Sequence, residues 1–323
     1  MTRITFDNAS YDCKENESVL DCLTAHGVPV PSSCKAGVCQ TCLMRALSGR
    51  VPPESQKGLK PTLIELNYFL SCSCIPAEDI DVAFPEAGKG RIPATVAGLE
   101  PLNSEIMCVK LNPVGPFEYR AGQYINFFRD DSTARSYSLA SVSSLDECIK
   151  LHVRKIPDGR VSTWIHECLN PGDTVDISEA LGDCFYVPGN PDQGLLLIGT
   201  GSGLAPLYGI VRDALLVGHT GPIRLYHGSL TMDGLYLIEE LRQLARDYPN
   251  FAYTPCVSEG EAPDGFSSGI VLDVALKDIP KLSGWRIYLC GNPAMVNAAK
   301  KQTFLAGASM RDIYADPFVP AQP

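Results

Sequence analysis

Cys34-Lys35-Ala36-Gly37-Val38-Cys39-Gln40-Thr41-Cys42 is the stretch from which the rest of the chain is read. Four residues separate the first two cysteines and two separate the next pair. A C-x4-C-x2-C spacing suits a [2Fe–2S] cluster. Such a cluster needs four soft anionic ligands around two irons, and one short loop here supplies three. Ala36 and Gly37 keep the side chains small, so backbone can crowd the sulfurs, and glycine can take a positive φ. Cys72 and Cys74 offer the fourth thiolate, in Phe69-Leu70-Ser71-Cys72-Ser73-Cys74. Structural zinc also takes four thiolates, but usually through two C-x2-C knuckles, which the four-residue gap fits poorly.

The chain has 323 residues, enough for two or three domains. Its hydrophobic content of 45% is ample for ordinary cores. A formal net charge of −10 argues against a nucleic-acid or anionic-membrane partner. Residues 1–88 hold 11 Asp/Glu and 7 Lys/Arg, a balance of −4 that hints at a basic docking face on a partner. No apolar h-region follows Met1, so no signal peptide is read, and no apolar run approaches a membrane span. A reducing cytoplasm is therefore expected despite 13 cysteines. Cys13, Cys22, Cys108, Cys148, Cys168, Cys184 and Cys256 are then expected to be buried free thiols acting as small hydrophobes.

Before the cysteine loop, residues 3–6 and 10–13 alternate like a hairpin, and Ser18 with Asp21 reads as a weak capping box. Val19 and Leu23 repeat at helical spacing, and Gly27 is a plausible stop. Residues 78–84 form a strand, and 85–91 read as a linker. Short strands follow at 94–100, 105–111, 123–128, 135–140 and 148–154, then a helix at 160–169 and a strand at 174–177. Regular short strands with turns predict a small antiparallel barrel. After Gly194 the pattern becomes α/β. Strands at 195–198, 223–227, 251–257 and 286–290 alternate with helices opening near Pro206 and at 234–247, 268–276 and 293–305. That is a doubly wound, dinucleotide-binding order.

Three further motifs carry chemistry. Arg135-Ser136-Tyr137-Ser138 lies in the predicted barrel; it combines a guanidinium that can fork onto phosphate, an aromatic ring and a hydroxyl. His152-Val153-Arg154 and Gly159-Arg160-Val161-Ser162 precede and open a helix whose N–H groups suit a pyrophosphate. His152 itself is expected on a solvated strand face, without a catalytic role. Gly199-Thr200-Gly201-Ser202-Gly203 follows a buried strand, and Cys290-Gly291-Asn292-Pro293-Ala294-Met295 follows the last main one. The glycine run is G-x-G-x-G, not the G-x-G-x-x-G fingerprint, so alone it also fits a tight turn with no ligand.

Residues 1 to about 85 resemble a plant-type ferredoxin domain, through the loop, its spacing and the late L-S-C-x-C. The likeness implies a β-grasp fold with Cys34, Cys39, Cys42 and Cys72 as ligands, Cys74 being a bystander. Residues 92–323 resemble the ferredoxin-NADP reductase superfamily, in which R-x-Y-S binds flavin and C-G-x-P-x-M lies at the nicotinamide. By that likeness Arg135 pairs with the flavin phosphate, Tyr137 packs on the isoalloxazine and Ser138 sits near N5. Ser136, His152, Val153, Arg154, Gly159, Val161 and Ser162 complete the flavin site. The pyrophosphate favours FAD over FMN. Gly199, Thr200, Gly201, Gly203, Cys290 and Gly291 hold the nicotinamide nucleotide, with Cys290 beside the reacting ring. Phe318 near the C-terminus covers the flavin until NADH displaces it; otherwise it merely plugs a surface groove.

The implied architecture is multidomain, α+β and α/β. A [2Fe–2S] domain spans 1–88, an FAD-binding antiparallel barrel 92–190, and a doubly wound NAD-binding domain 191–323. This order resembles the single-chain NADH-dependent reductase components of bacterial multicomponent, ring-hydroxylating oxygenases, and Ile313–Phe318 is similar to tails in the naphthalene dioxygenase group. NADH yields two electrons as one hydride, a [2Fe–2S] cluster accepts one at a time, and a flavin converts between them. The expected path is NADH, FAD, cluster, then a terminal oxygenase or its separate ferredoxin, from a monomeric chain. Ser138, Cys290 and Phe318 are the residues expected nearest the chemistry. Two other readings remain: a reductase of deoxysugar dehydration with the same cofactors, and a non-enzymatic zinc-stabilised binding module. NADH is expected over NADPH, because Tyr226–Gly234 offers no cation for a 2′-phosphate and Arg224 lies early in its strand.

Overall fold

The computed structural model describes residues 2–85, 90–130 and 133–319. It divides into two compact units, Met1–Lys89 and Gly90–Pro323. Most of the expected linker, 86–89, lies outside the described residues.

The first unit is a β-grasp. Strands β1 (Thr2–Phe6) and β2 (Ala9–Cys13) form the hairpin, helix α1 (Val19–Ala25) follows, and β3 (Leu43–Ser48), α2 (Pro61–Glu65), β4 (Tyr68–Leu70) and β5 (Ile80–Ala83) complete it. The sheet order is β2-β1-β5-β3-β4, with β1 and β5 parallel. Ser18 caps α1 by accepting from the Asp21 N–H, and Gly27 takes φ +86° just past its end. Val19, Leu20, Cys22 and Leu23 turn inward against Ile4, Met44, Phe69 and Val82. Each such side chain contributes about 1.5–3 kcal/mol by leaving water. The sequence reading omits β3, β4 and α2; their partners lie across the sheet rather than along the chain.

The second unit opens with β6 (Ile92–Pro101), β7 (Ile106–Pro113), β8 (Tyr124–Asp130), β9 (Thr133–Ser138), β10 (Ile149–Arg154), α3 (Arg160–Glu167) and β11 (Thr174–Ile177). Their antiparallel order is β10-β7-β6-β11-β8-β9, and a Leu139–Leu151 bridge brings the ends together into a barrel. Val96, Val109, Leu111, Ile125, Phe127 and Leu151 fill it.

The rest is doubly wound: β12 (Leu195–Thr200), α4 (Leu204–Leu216), β13 (Ile223–Ser229), α5 (Ile238–Asp247), β14 (Phe251–Val257), β15 (Ser267–Ser268), α6 (Val271–Asp278), β16 (Arg286–Gly291), α7 (Pro293–Leu305) and β17 (Ile313–Pro317). All pairings are parallel, in the order β15-β14-β13-β12-β16-β17. Leu195 and Leu197 face the layer of α4 and α5, while Leu196 and Ile198 face α6 and α7. A strand buried on both faces reads as the continuous apolar run seen in the sequence. The strand order reverses beside β12, where β13 lies on one side and β16 on the other. That is the switch point at which such sheets bind ligands.

Barrel and nucleotide-type domain share one seam. Ile106, Cys184 and Tyr186 from the barrel side pack into the same core as Leu204, Leu207 and Ile210 of α4. At its rim the Asp146 carboxylate accepts from Arg212 Nη1 at 2.8 Å and Nη2 at 3.3 Å, from Lys150 Nζ at 2.7 Å and from the Val142 N–H at 2.8 Å.

Three expectations need correction. Helix α5 begins at Ile238, not 234, because Leu235 runs extended, Tyr236 is buried ahead of the helix and Leu237 takes the left-handed φ of 55°. The tail 313–317, given no element in the sequence reading, is β17, which extends the sheet beside β16. Of the cysteines expected to be buried, Cys168 is exposed and Cys148 half-buried.

Candidate functional site

Register explains how Cys42 and Cys72 meet across the 29 residues between them. Leu43 of β3 pairs with Leu70 of β4, and both the N–H and the hydroxyl of Ser71 donate to the Cys42 carbonyl, at 3.0 and 2.9 Å. The Cys72 thiol lies against Cys42, with Cys34 and the Gly37 N–H nearby; burial and its Cys42 neighbour push its pKa up. In the loop, the Ala36 and Cys39 N–H groups both donate to Cys34 Sγ at 3.4 Å. The Thr41 hydroxyl donates to Cys39 Sγ at 3.2 Å, the main reason that thiol is pulled down to about 6. Gly37 has φ +70°, and Lys35 and Gln40 are also left-handed, which folds the loop tightly enough to turn these donors inward. Cys74 points elsewhere. It is fully buried in the core with Cys13 and Cys22, and burial pushes its thiol up to about 12. Four sulfurs and convergent N–H donors are the donor set a [2Fe–2S] cluster needs.

In the barrel, Arg135 and Tyr137 are half-buried neighbours two residues apart on β9. Tyr137 stands edge-on to Phe127, with centroids 6.2 Å apart. Ser136 is exposed and donates to Asn126 Oδ1. Val161 and Ser162 are buried on α3, and the Ser162 hydroxyl accepts from the Ile156 N–H. A Cβ on Gly159 would lie 2.4 Å from Ser162 Oγ, so only glycine lets the chain enter the helix this closely. Val153 is a barrel-core residue. Arg154 is exposed, and its guanidinium is held by Glu105 at 2.9 Å and lies beside Gly201. His152 is not on a solvated face. It is 6% exposed, its Nδ1 lies 3.2 Å from the Tyr236 hydroxyl, and burial holds its pKa down to about 3.

The two glycine motifs interlock at the switch point. A Cβ on Gly203 would come 2.4 Å from the Cys290 carbonyl, and one on Gly291, at φ +113°, would come 2.5 Å from the Thr200 carbonyl. The Asn292 N–H donates to Thr200 Oγ1 at 3.0 Å. Gly199 leaves room for Leu207 of α4. Cys290 is wholly buried, in thiol contact with Cys184, and burial raises its pKa strongly. Phe318 is half-buried, and its N–H donates to the Gly291 carbonyl at 2.8 Å.

The sequence reading missed Asp316. It pairs in register with Cys290, and its carboxylate accepts from the Ser138 hydroxyl at 3.1 Å across the seam. Burial raises its pKa, against the lowering effect of that hydrogen bond. Ser138, Asp316 and Cys290 therefore converge from three strands, β9, β17 and β16. The only sequence signal was the Tyr314-Ala315-Asp316-Pro317-Phe318 tail, in which Phe318 was given a role and Asp316 none.

Three family descriptions match along the chain: a 2Fe-2S iron-sulfur cluster binding domain over residues 4–77, an oxidoreductase FAD-binding domain over 100–186 and an oxidoreductase NAD-binding domain over 197–301. The chain is 35% identical over 309 residues to the reductase component of the naphthalene 1,2-dioxygenase system of Pseudomonas putida, covering 94% of each. The chain belongs to the reductase-component family of oxygenase systems. Its three matched domains make it an electron-transfer oxidoreductase built for FAD, NADH and a [2Fe–2S] cluster. The reductase subunit of the aromatic O-demethylase of Amycolatopsis is 34% identical, with 96% of each chain covered. Among solved structures, the Amycolatopsis cytochrome P450 reductase GcoB superposes over 100% of both chains, with a TM-score of 0.70 and 31% identity. The ferredoxin reductase of carbazole 1,9a-dioxygenase, at 23% identity and a TM-score of 0.65 over 98% of each chain, shares the fold. These matches speak against a non-enzymatic zinc-stabilised module. Among the described residues no helix is long and apolar enough to cross a membrane.

Proposed function

We propose that this reductase takes hydride from NADH at the seam of its barrel and nucleotide-type domain, and delivers electrons through Cys34, Cys39, Cys42 and Cys72 to an oxygenase acting on an aromatic substrate, or to that oxygenase's ferredoxin. The observation that carries the reading is the Ser138–Asp316 contact beside Cys290 at the switch point. It joins the motif read as flavin-binding to the motif read as nicotinamide-binding. Arg135 serves a phosphate, Tyr137 flanks a ring, and the N-terminus of α3 receives the pyrophosphate. Gly203 and Gly291 keep the crevice floor free of side chains. Ser138 is oriented by Asp316, so its hydroxyl is fixed rather than rotating. Bound FAD would accept the hydride pair and release electrons singly, as the cluster requires. Cys34 and Cys39 lie on an exposed loop, with Val38 76% exposed at its tip, which suits electron exit to a docked partner. Domain limits of 1–88, 92–190 and 191–323, a cytoplasmic setting and a monomeric chain belong to the same reading.

NADH is favoured over NADPH. The Arg224 guanidinium donates to the Ile223 and Asn250 carbonyls at the start of β13, the far end from the switch point. Asp233 is exposed beyond the other end of that strand, where it would repel a 2′-phosphate facing it. Anaerobic mixing of the holoenzyme with NADH should bleach the flavin band and then the cluster band. Adding candidate oxygenases should then give product in proportion to NADH consumed. Bleaching of neither band would refute the reading. Bleaching of the flavin alone would remove the cluster from the path.

A further inference from the structure

His227 lies in β13 and is wholly buried. Its Nε2 is 3.3 Å from the Gly201 carbonyl oxygen. A carbonyl only accepts, so Nε2 carries the proton, and Nδ1 is left to accept from the Tyr253 hydroxyl 3.5 Å away. Burial holds the imidazole pKa down to about 4, so the ring stays neutral in this tautomer near neutral pH. Tyr236 stands edge-on to His227 at 5.4 Å and to His152 at 5.4 Å. A buried chain of rings therefore runs from β10 of the barrel to the glycine turn.

Gly201 is left-handed, at φ +54°, and its carbonyl also accepts from the Leu204 N–H. A trans peptide plane points its C=O and the next N–H in opposite directions. Holding the Gly201 carbonyl toward His227 thus aims the Ser202 N–H away from β13. We propose that His227 is a positioning residue for the nicotinamide dinucleotide: its Nε2–H fixes the Gly201–Ser202 peptide so that the Ser202 N–H receives the pyrophosphate. This rests on the reading that turn 199–203 takes the nucleotide.

The test uses the holoenzyme in steady state, with NADH varied and ferricyanide as acceptor, alongside flavin and cluster absorbance. His227→Leu removes the donor. KM for NADH should rise about tenfold, the effect of one well-made hydrogen bond, while kcat at saturating NADH stays near wild type. His227→Gln places an amide N–H near the position of Nε2 and a carbonyl toward Tyr253, and should restore KM. Ser202→Asp sets a carboxylate on the turn and should raise KM if the pyrophosphate lies there. Should Ser202→Asp leave KM unchanged, the nucleotide is elsewhere and both readings fall. Should Ser202→Asp raise KM while His227→Leu does not, the turn reading stands and His227 has no positioning role. A glutamine variant as impaired as the leucine one would show that ring shape matters, not the N–H. Should the leucine variant not fold, His227→Gln decides alone: wild-type KM supports the proposal and a raised KM overturns it.

Discussion

Replacing Asp146 with alanine should loosen the seam between the barrel and the nucleotide-type domain. The Asp146 side chain is 4% exposed and that of Arg212 16%. Burial alone would raise the Asp146 pKa, but hydrogen bonds from Arg212, Lys150 and the Val142 N–H outweigh it and hold the carboxyl below its usual range. Removing one partner of a buried ion pair costs about 3–5 kcal/mol, because the other charge is stranded. The Tyr208 ring 5.0 Å from the Arg212 guanidinium is there with or without Asp146 and cancels in the difference, while the partial exposure of Arg212 lets it reach water, which places the loss at the low end. Lys150, about a third exposed, turns to water and adds little. The net is about 3 kcal/mol. At about 2–4 °C per kcal/mol for a unit of this size, Asp146→Ala should melt about 6–12 °C lower. The transition is followed by release of flavin fluorescence, which reports this unit and not the cluster domain. Because the folded pKa is depressed, the contribution is present above the unfolded value of about 3.9 and vanishes as pH falls through the folded one. The gap between variant and wild type should stay constant from pH 8 to 5 (roughly) and close only in stronger acid. The double variant Asp146→Ala, Arg212→Met should recover most of the loss, since it leaves no stranded charge. A shift under about 2 °C for the single variant, or a double variant no better than the single, would refute the reasoning.

Three further outcomes are expected. Cys72→Ala should lose the cluster's visible absorbance while Cys74→Ala retains it; the reverse pattern would move the ligand to Cys74. NADH should be preferred in kcat/KM, and a preference for NADPH would mean that a cation other than Arg224 reaches the 2′-phosphate. Phe318→Ala should bind NADH at least as tightly and alter the flavin spectrum with the cluster unaltered, since a displaced ring stack is worth only about 0.5–1.5 kcal/mol. Unchanged affinity together with an unchanged flavin spectrum would reduce Phe318 to a groove plug.

The parts legible in the sequence were those encoded locally. The Ser18 cap and the apolar run at 195–198 depend on neighbours along the chain, and the structure shows both. What escaped depends on partners far away. Asp316 gains meaning only because β17 lies beside β16 and places it opposite Cys290, 26 positions earlier. His152 looked like an ordinary strand polar residue, since nothing nearby shows that Tyr236, 84 residues on, will bury it. The late start of α5 has the same origin. Helical propensity at 235–237 yields to the demand that Tyr236 reach between two imidazoles, and Leu237 absorbs the turn in a left-handed conformation.

The placement of thiols in the β-grasp unit bears on how the metal arrives. This unit carries seven cysteines, and a cluster uses four. Cys13, Cys22 and Cys74 are sealed in the core, whereas Cys34 and Cys39 are open to solvent. On the proposed ligand set, folding withdraws Cys13, Cys22 and Cys74 from competition before iron is delivered, while buried Cys42 and half-buried Cys72 stay beside the open loop. In an unfolded chain every thiol competes alike, and iron would be scattered among incorrect sets. Cluster insertion should accordingly succeed on the collapsed apoprotein and be poor when iron and sulfide are present during refolding from denaturant. On the proposed ligand set, assembly order rather than thiol chemistry would keep Cys72 and Cys74, two positions apart, from exchanging places.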